Sequence, residues 1–146
     1  MKEECTMKKW IVLSLTLTVC AALFLLPITG CGKIEIPDDY KKINLSSLVS
    51  DFEKNSLRVK ETYENQWVSL VCKVDSIDSR EHFSLKGNYV YIECTAKNRE
   101  LDTILMDLNE GNRITVVGVV KSISKQLFSW DTKVKVEIDV YEIKAP

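Results

Sequence analysis

The sequence predicts a small, mostly β domain of the α+β class, in which two helices accompany an antiparallel sheet curled into a Greek-key barrel. Apolar residues recur every three to four positions between 48 and 63 and again between 101 and 108. They recur every second position in the stretches that begin at 67, 89, 114 and 133. The order is therefore helix, strand, one or two strands, helix, strand, strand. A helix between the middle and the later strands of a small sheet is the arrangement of a closed or nearly closed Greek-key barrel.

The first thirty residues stand apart from that domain. Lys8 and Lys9 precede a stretch, 10–28, that holds no charged residue and is rich in Leu, Val and Ala. A positive flank followed by an apolar run is the pattern of a secretory signal, with translation starting at Met1 or at Met7. The run ends in Ile28-Thr29-Gly30-Cys31, which resembles the bacterial lipobox: an aliphatic residue, a small residue, Gly or Ala, then Cys. The resemblance implies that Cys31 takes a diacylglyceryl thioether and that signal peptidase II cuts between Gly30 and Cys31. Two acyl chains make a stable anchor, so the expected location is membrane-attached on the extracytoplasmic face of the cell envelope. Two other readings of the segment are an uncleaved transmembrane helix, for which the run is long enough, and an ordinary secretory signal with an incidental cysteine.

Removing three lysines and two glutamates with residues 1–30 leaves 17 basic and 19 acidic residues in the remaining 116. That near-neutral, slightly acidic balance, with both signs interspersed, argues against a nucleic-acid partner, which needs clustered positive charge. Residues 31–45 carry Gly32, Pro37 and the charged run Asp38-Asp39-Tyr40-Lys41-Lys42 without helical or strand period, and read as the lipidated cysteine and a tether. The domain is expected over 46–146. Ser46 or Ser47 offers an N-cap to a single amphipathic helix over about 47–63, whose stripe is Leu48, Phe52, Val59 and Tyr63, with Ser56 in the gap.

From Trp67 the period is two. Val68, Leu70, Cys72 and Val74 form one phase, and Val90, Ile92 and Cys94 form the inward phase of the next clear strand. Between them, either 81–86 supplies a weak strand or one barrel strand is abbreviated, which would leave the barrel partly open. Leu101, Ile104, Leu105 and Leu108 stripe the second helix, and Gly111 follows as its stop. Ile114, Val116, Gly118 and Val120 begin another strand, bent at Gly118. Val134, Val136, Ile138 and Val140 alternate with Lys133, Lys135, Glu137 and Asp139, a strand with one buried and one wet face.

This pattern is that of an OB-type barrel. Three stretches resemble the tRNA-anti-like group of OB-fold proteins, which includes many short bacterial lipoproteins of unassigned function. They are Leu48-Val49-Ser50-Asp51-Phe52-Glu53-Lys54-Asn55 with Val59 and Tyr63, then Val68 to Ile77, then Leu105, Leu108, Gly111, Ile114, Val116 and Gly118. These are features of fold, so the resemblance implies no activity.

Chemistry is sparse. The single histidine, His82, falls in a polar segment read as a loop, and no Cys or His stands at zinc-ligand spacing from it. The glycines do not build a phosphate loop. Asp38-Asp39 and the pair Asp75 and Asp78 read as turn formers. No catalytic residue, metal or cofactor is expected. Cys72 and Cys94 share the inward phase of their strands. If those strands formed a hairpin centred near Phe83, Cys72 would lie opposite Cys94, in reach of a disulfide; the alternative is two buried thiols filling the core. Trp67, Tyr89 and Tyr91 lie on the outward phase beside Val71, and Phe128 and Trp130 lie in the loop before the last strand. Flanked by Lys73, Lys125 and Lys133, they could stack bases or sugar rings; alternatively the N-terminal helix covers the strand residues as a second small core. The expected function is a non-enzymatic binding module for a protein, a glycan or a small ligand. The alternatives are binding of single-stranded oligonucleotide at the cell surface and an enzyme with a dispersed site.

Overall fold

A computed structural model describes residues 34–126 and 133–144. Cys31, the cut at Gly30 and the loop residues Phe128 and Trp130 therefore lie outside the described residues. The elements are β1 (Lys41–Lys42), α1 (Leu45–Lys54), α2 (Ser56–Tyr63), β2 (Trp67–Ile77), β3 (His82–Gly87), β4 (Val90–Ala96), α3 (Leu101–Asp107), β5 (Arg113–Lys125) and β6 (Val134–Lys144).

The expected single helix over 47–63 is two helices. Asn55 breaks it, with φ −157° and ψ 85°, closing α1 with its amide on the Asp51 carbonyl and opening α2 with its side chain, which accepts from the Arg58 amide. An Asn side chain competes well for an orphan helix-start amide, so a break here leaves few groups unsatisfied. The cap of α1 is Asn44 rather than Ser46 or Ser47; its Oδ1 accepts from the Ser46 amide at 3.0 Å. The apolar stripe faces the core: Leu48, Phe52 and Val59 are buried and Tyr63 is partly buried against them. Part of the expected tether also belongs to the domain: Lys41 and Lys42 pair in parallel with Val68 and Ser69, and Ile43 is buried.

The barrel closes in the order β2–β3–β4–β6–β5 and back to β2. All these pairings are antiparallel except β4 with β6, which run parallel from Val90 beside Val134 to Ala96 beside Val140. The helix α3 fills the β4–β5 connection. This is the five-stranded Greek-key barrel of the OB fold, with one extra short strand. The segment after Ile77 supplies a full strand, β3, so the barrel is closed rather than partly open. His82 begins that strand and is not a loop residue.

Inward residues follow the expected phases. Val68, Leu70, Cys72 and Val74 of β2, Val90, Ile92 and Cys94 of β4, and Val134, Val136, Ile138 and Val140 of β6 are all buried, with Phe83 and Leu85 of β3 between them. Each large aliphatic or aromatic side chain removed from water contributes about 1.5–3 kcal/mol to this core. At Gly118 the β5 register shifts, as the sequence led one to expect. A Cβ there would strike the Asp139 carbonyl oxygen and lie 2.9 Å from Ile138 Cγ2, so only glycine lets β5 approach β6 at the bend. Gly111, at φ +84°, turns the chain from α3 into β5, several residues after the helix has ended at Asp107.

Because β3 lies between β2 and β4, the expected opposition of Cys72 and Cys94 does not occur. Cys72 faces Ile114 across β5, and Cys94 faces Phe83 and Ile138. Both thiols are free and buried.

Candidate functional site

The register of β3, β4 and β6 sets outward side chains in cross-strand rows. His82, Thr95 and Asp139 form one row, Ser84, Glu93 and Glu137 the next, and Lys86, Tyr91 and Lys135 a third. The first two rows, with Tyr91 at one side, line a cleft of about 360 Å³ that Asp78 and Lys121 complete. Phe83, Cys94 and Ile138, on the inward phase, form its floor.

The cleft is held by charge pairs and hydroxyls. Lys135 Nζ bridges Glu93 at 2.9 Å and Glu137 at 3.0 Å. The hydrogen bonds that Lys135 donates to both carboxylates push its pKa up, and the Glu137 carboxyl is held below its ordinary range by Lys135 first and the Ser122 hydroxyl second. Asp139 receives Lys97 at 3.5 Å and Lys121 at 3.8 Å. The Ser76 and Ser84 hydroxyls bond at 2.8 Å, and Ser76 also donates to Asp78 at 3.1 Å, where the β2–β3 turn begins. The result is a lining of four carboxylates and one lysine, Lys121, rich in oxygens that accept hydrogen bonds.

The hydroxyl of Thr95 stands 3.5 Å from His82 Nδ1, beyond the usual range of a hydroxyl hydrogen bond. A base needs closer reach and a third group to orient it. Among the described residues no cluster of three or more His, Cys, Asp or Glu side chains is placed to hold a metal ion.

The aromatic residues expected on one platform are dispersed. Trp67 stacks on Tyr141 of β6, ring centroids 5.0 Å apart and tilted 47°. Six residues along β2 separate it from Lys73, which pairs with Lys86 beside Tyr91; at about 3.3 Å per residue that is roughly 20 Å. Tyr89 sits in the β3–β4 turn, 55% exposed, with Lys133 Nζ 5.5 Å from its ring centroid. Its φ is +60°, a region that costs a non-glycine residue about 1 kcal/mol. Of the aromatic candidates among the described residues, Tyr91 alone lines the cleft. The residues missed are Ser84, Glu93, Thr95, Lys121, Glu137 and Asp139. Alternation marks Glu93, Glu137 and Asp139 as outward, but only the register shows that they meet.

No protein-family model and no curated protein matches the chain. Solved structures do. A putative aspartyl-tRNA synthetase from Leishmania major Friedlin superposes with a TM-score of 0.51 at 11% identity, over 81% of this chain and 22% of that one. The Stn1-Ten1 complex of S. pombe gives 0.45 at 14% identity, over 76% and 81% of the two chains. The small single-stranded DNA-binding protein of Streptomyces coelicolor gives 0.40 at 12% identity, over 55% and 93%. The synthetase likeness shows the OB fold, and the chain spans about a fifth of that protein's length, 22%.

Proposed function

We propose that this chain is a lipid-anchored, extracytoplasmic binding module that carries out no reaction, and that its cleft takes a hydroxyl-rich ligand, a glycan. The observation that carries the reading is the lining itself. Asp78, Glu93, Glu137 and Asp139 present acceptors beside one aromatic ring, Tyr91. Sugar hydroxyls donate to the carboxylate oxygens that the lysines leave free, and a tyrosine face stacks on a sugar ring. The lipobox resemblance at Ile28-Thr29-Gly30-Cys31 supports the anchor.

A glycan array probed with the protein, followed by titration of the hits, tests the cleft. Tyr91→Ala and Asp139→Asn should each weaken binding about tenfold, the loss of one strong hydrogen bond or stacking contact, while Trp67→Ala should not. Glycan binding that survives both cleft substitutions would remove the reading. For the anchor, Cys31→Ala should abolish lipid labelling; a variant still labelled and cut at the same bond would show it to be wrong.

A second reading is single-stranded oligonucleotide, favoured by Tyr91 standing in register between Lys86 and Lys135. A base stacked on Tyr91 would bring a phosphate to Lys86, while Lys135 is already held by Glu93 and Glu137. Its signature is an affinity that falls steeply with salt.

A further inference from the structure

Beside the cleft, and with an opposite electrostatic character, lies a row of cations. Lys73 of β2 pairs with Arg113 of β5 on one side and with Lys86 of β3 on the other. Paired residues project from the same face of a sheet, on strands about 4.8 Å apart, so three positive groups stand side by side over roughly 10 Å. All three are exposed, and none is in an ion pair among the described residues. Lys97, Lys121, Lys133, Lys135 and Lys144, by contrast, each hold a carboxylate. Like charges directly opposite one another destabilise a sheet. A row of three is thus an arrangement whose cost an anion lying over it removes.

The row borders a groove of about 560 Å³ that Ser46, Gly87 and Asn88 also line. Ser46 belongs to the first turn of α1, which holds no acidic residue, so nothing there neutralises the cations. The positive strip is also short. Along the third cross-strand row the next partner of Lys86 is Tyr91, and then Lys135, which Glu93 and Glu137 already occupy. Along β2, Asp75 follows Lys73 two residues on. A nucleic-acid strand needs a longer basic track than this; a compact ligand with two or more negative charges does not.

We propose that this groove binds the multivalent phosphate group of a small molecule, with the Arg113 guanidinium as a two-pronged donor and Lys73 and Lys86 as point charges. The same chemistry is offered by a soluble diphosphate and by a phosphate-monoester lipid headgroup. The site is distinct from the cleft and stands whether or not the cleft takes a glycan.

The test titrates the full chain, held in neutral detergent at low salt, with inorganic pyrophosphate and separately with short-chain phosphatidic acid, using short-chain phosphatidylcholine as the control. Saturable binding is expected, together with a rise in thermal midpoint. Lys73→Gln, Lys86→Gln and Arg113→Gln should each weaken it about tenfold, the loss of one charged hydrogen bond. Lys86→Arg, which keeps the charge, should stay within about threefold of the parent. Without ligand the Gln variants should melt no lower than the parent, because they remove repulsion, which separates loss of binding from loss of fold. Binding of pyrophosphate alone supports a soluble ligand, and binding of phosphatidic acid alone supports a headgroup. The proposal is overturned if neither probe saturates, if the Gln variants bind as the parent does, or if a single-stranded oligonucleotide binds far more tightly than pyrophosphate through the same three residues.

Discussion

The Glu64 carboxylate accepts the backbone amide of Ile123, Oε1 to N at 2.8 Å, and so ties the end of α2 to the far half of β5. Glu64 is the C-cap residue of α2, with its own amide on the Lys60 carbonyl, and it also bridges to Val120. Ile123 is fully buried. The contact lies past Val119, the last β5 residue that β2 pairs, where an amide on that edge needs another acceptor. One side chain thus satisfies the irregular strand and fixes the helix pair against the barrel.

Removing that acceptor should be costly. Glu64→Ala leaves a part-buried amide without its partner and should lower stability by about 1–3 kcal/mol, with Glu64→Gln losing less because it keeps a neutral acceptor. Urea unfolding measures the loss, and hydrogen exchange at the Ile123 amide localises it. If exchange at Ile123 is unchanged in Glu64→Ala, the carboxylate is not what protects it.

The two core thiols should be inert in the native protein. Burial first, then the neighbouring Cys72 and Glu93, pushes the Cys94 thiol well above its ordinary value, and burial raises Cys72 as well. Alkylation needs thiolate and access. At neutral pH neither should react before unfolding, and Cys72, whose Sγ lies 3.0 Å from the Lys86 carbonyl near the barrel end, should react ahead of Cys94. In unreduced, denatured protein both should take the label; a peptide pair that stays unlabelled until reduction would contradict the free thiols.

The Lys135 bridge should leave a mark on the pH dependence of stability. The Glu137 pKa is lowered from 4.5, so its contribution is present above that value and fades as pH falls through the lowered one. The Lys135 pKa is raised from 10.5, so its contribution is present below that value and fades as pH rises through the raised one. The Glu137 side chain is 43% exposed, and solvent screening keeps each effect below about 1 kcal/mol. Glu137→Gln should flatten the acid limb of the unfolding midpoint, and Lys135→Met should flatten both limbs. An acid limb in Glu137→Gln that superposes on the parent's would exclude the bridge as its source.

The barrel interior was legible because burial imposes period two wherever one face of a strand is dry. Every residue assigned to the inward phase of β2, β4 and β6 is buried. What escaped was governed by single polar residues or by register. The helix break at Asn55 leaves the apolar stripe intact on both sides, so periodicity runs through it; the Asn itself, with Ser56 behind it, was the available signal. β3 has two fully inward apolar residues, Phe83 and Leu85, too few to declare a period in a polar stretch. Missing that strand misplaced the two cysteines, since one inserted strand separates what a hairpin would have opposed. The cleft and the cation row depend on which residues meet across strands, and no linear pattern contains that.

The two-residue strand β1 has a consequence beyond its size. It lies along the edge of β2 at Val68 and Ser69, while β3 takes up pairing only from Lys73 onward, and the Ile43 amide adds a bond to the Ser69 carbonyl at 2.9 Å. β1 is therefore a stopper on the stretch of β2 that β3 does not reach. A chain clipped just past residue 43 would bare unpaired amides and carbonyls there, flanked by the exposed Val71. Bare strand edges recruit other strands. Proteolytic trimming at this point should turn a self-contained barrel into one that pairs with its own copies, so the few residues of β1 act as the domain's guard against aggregation.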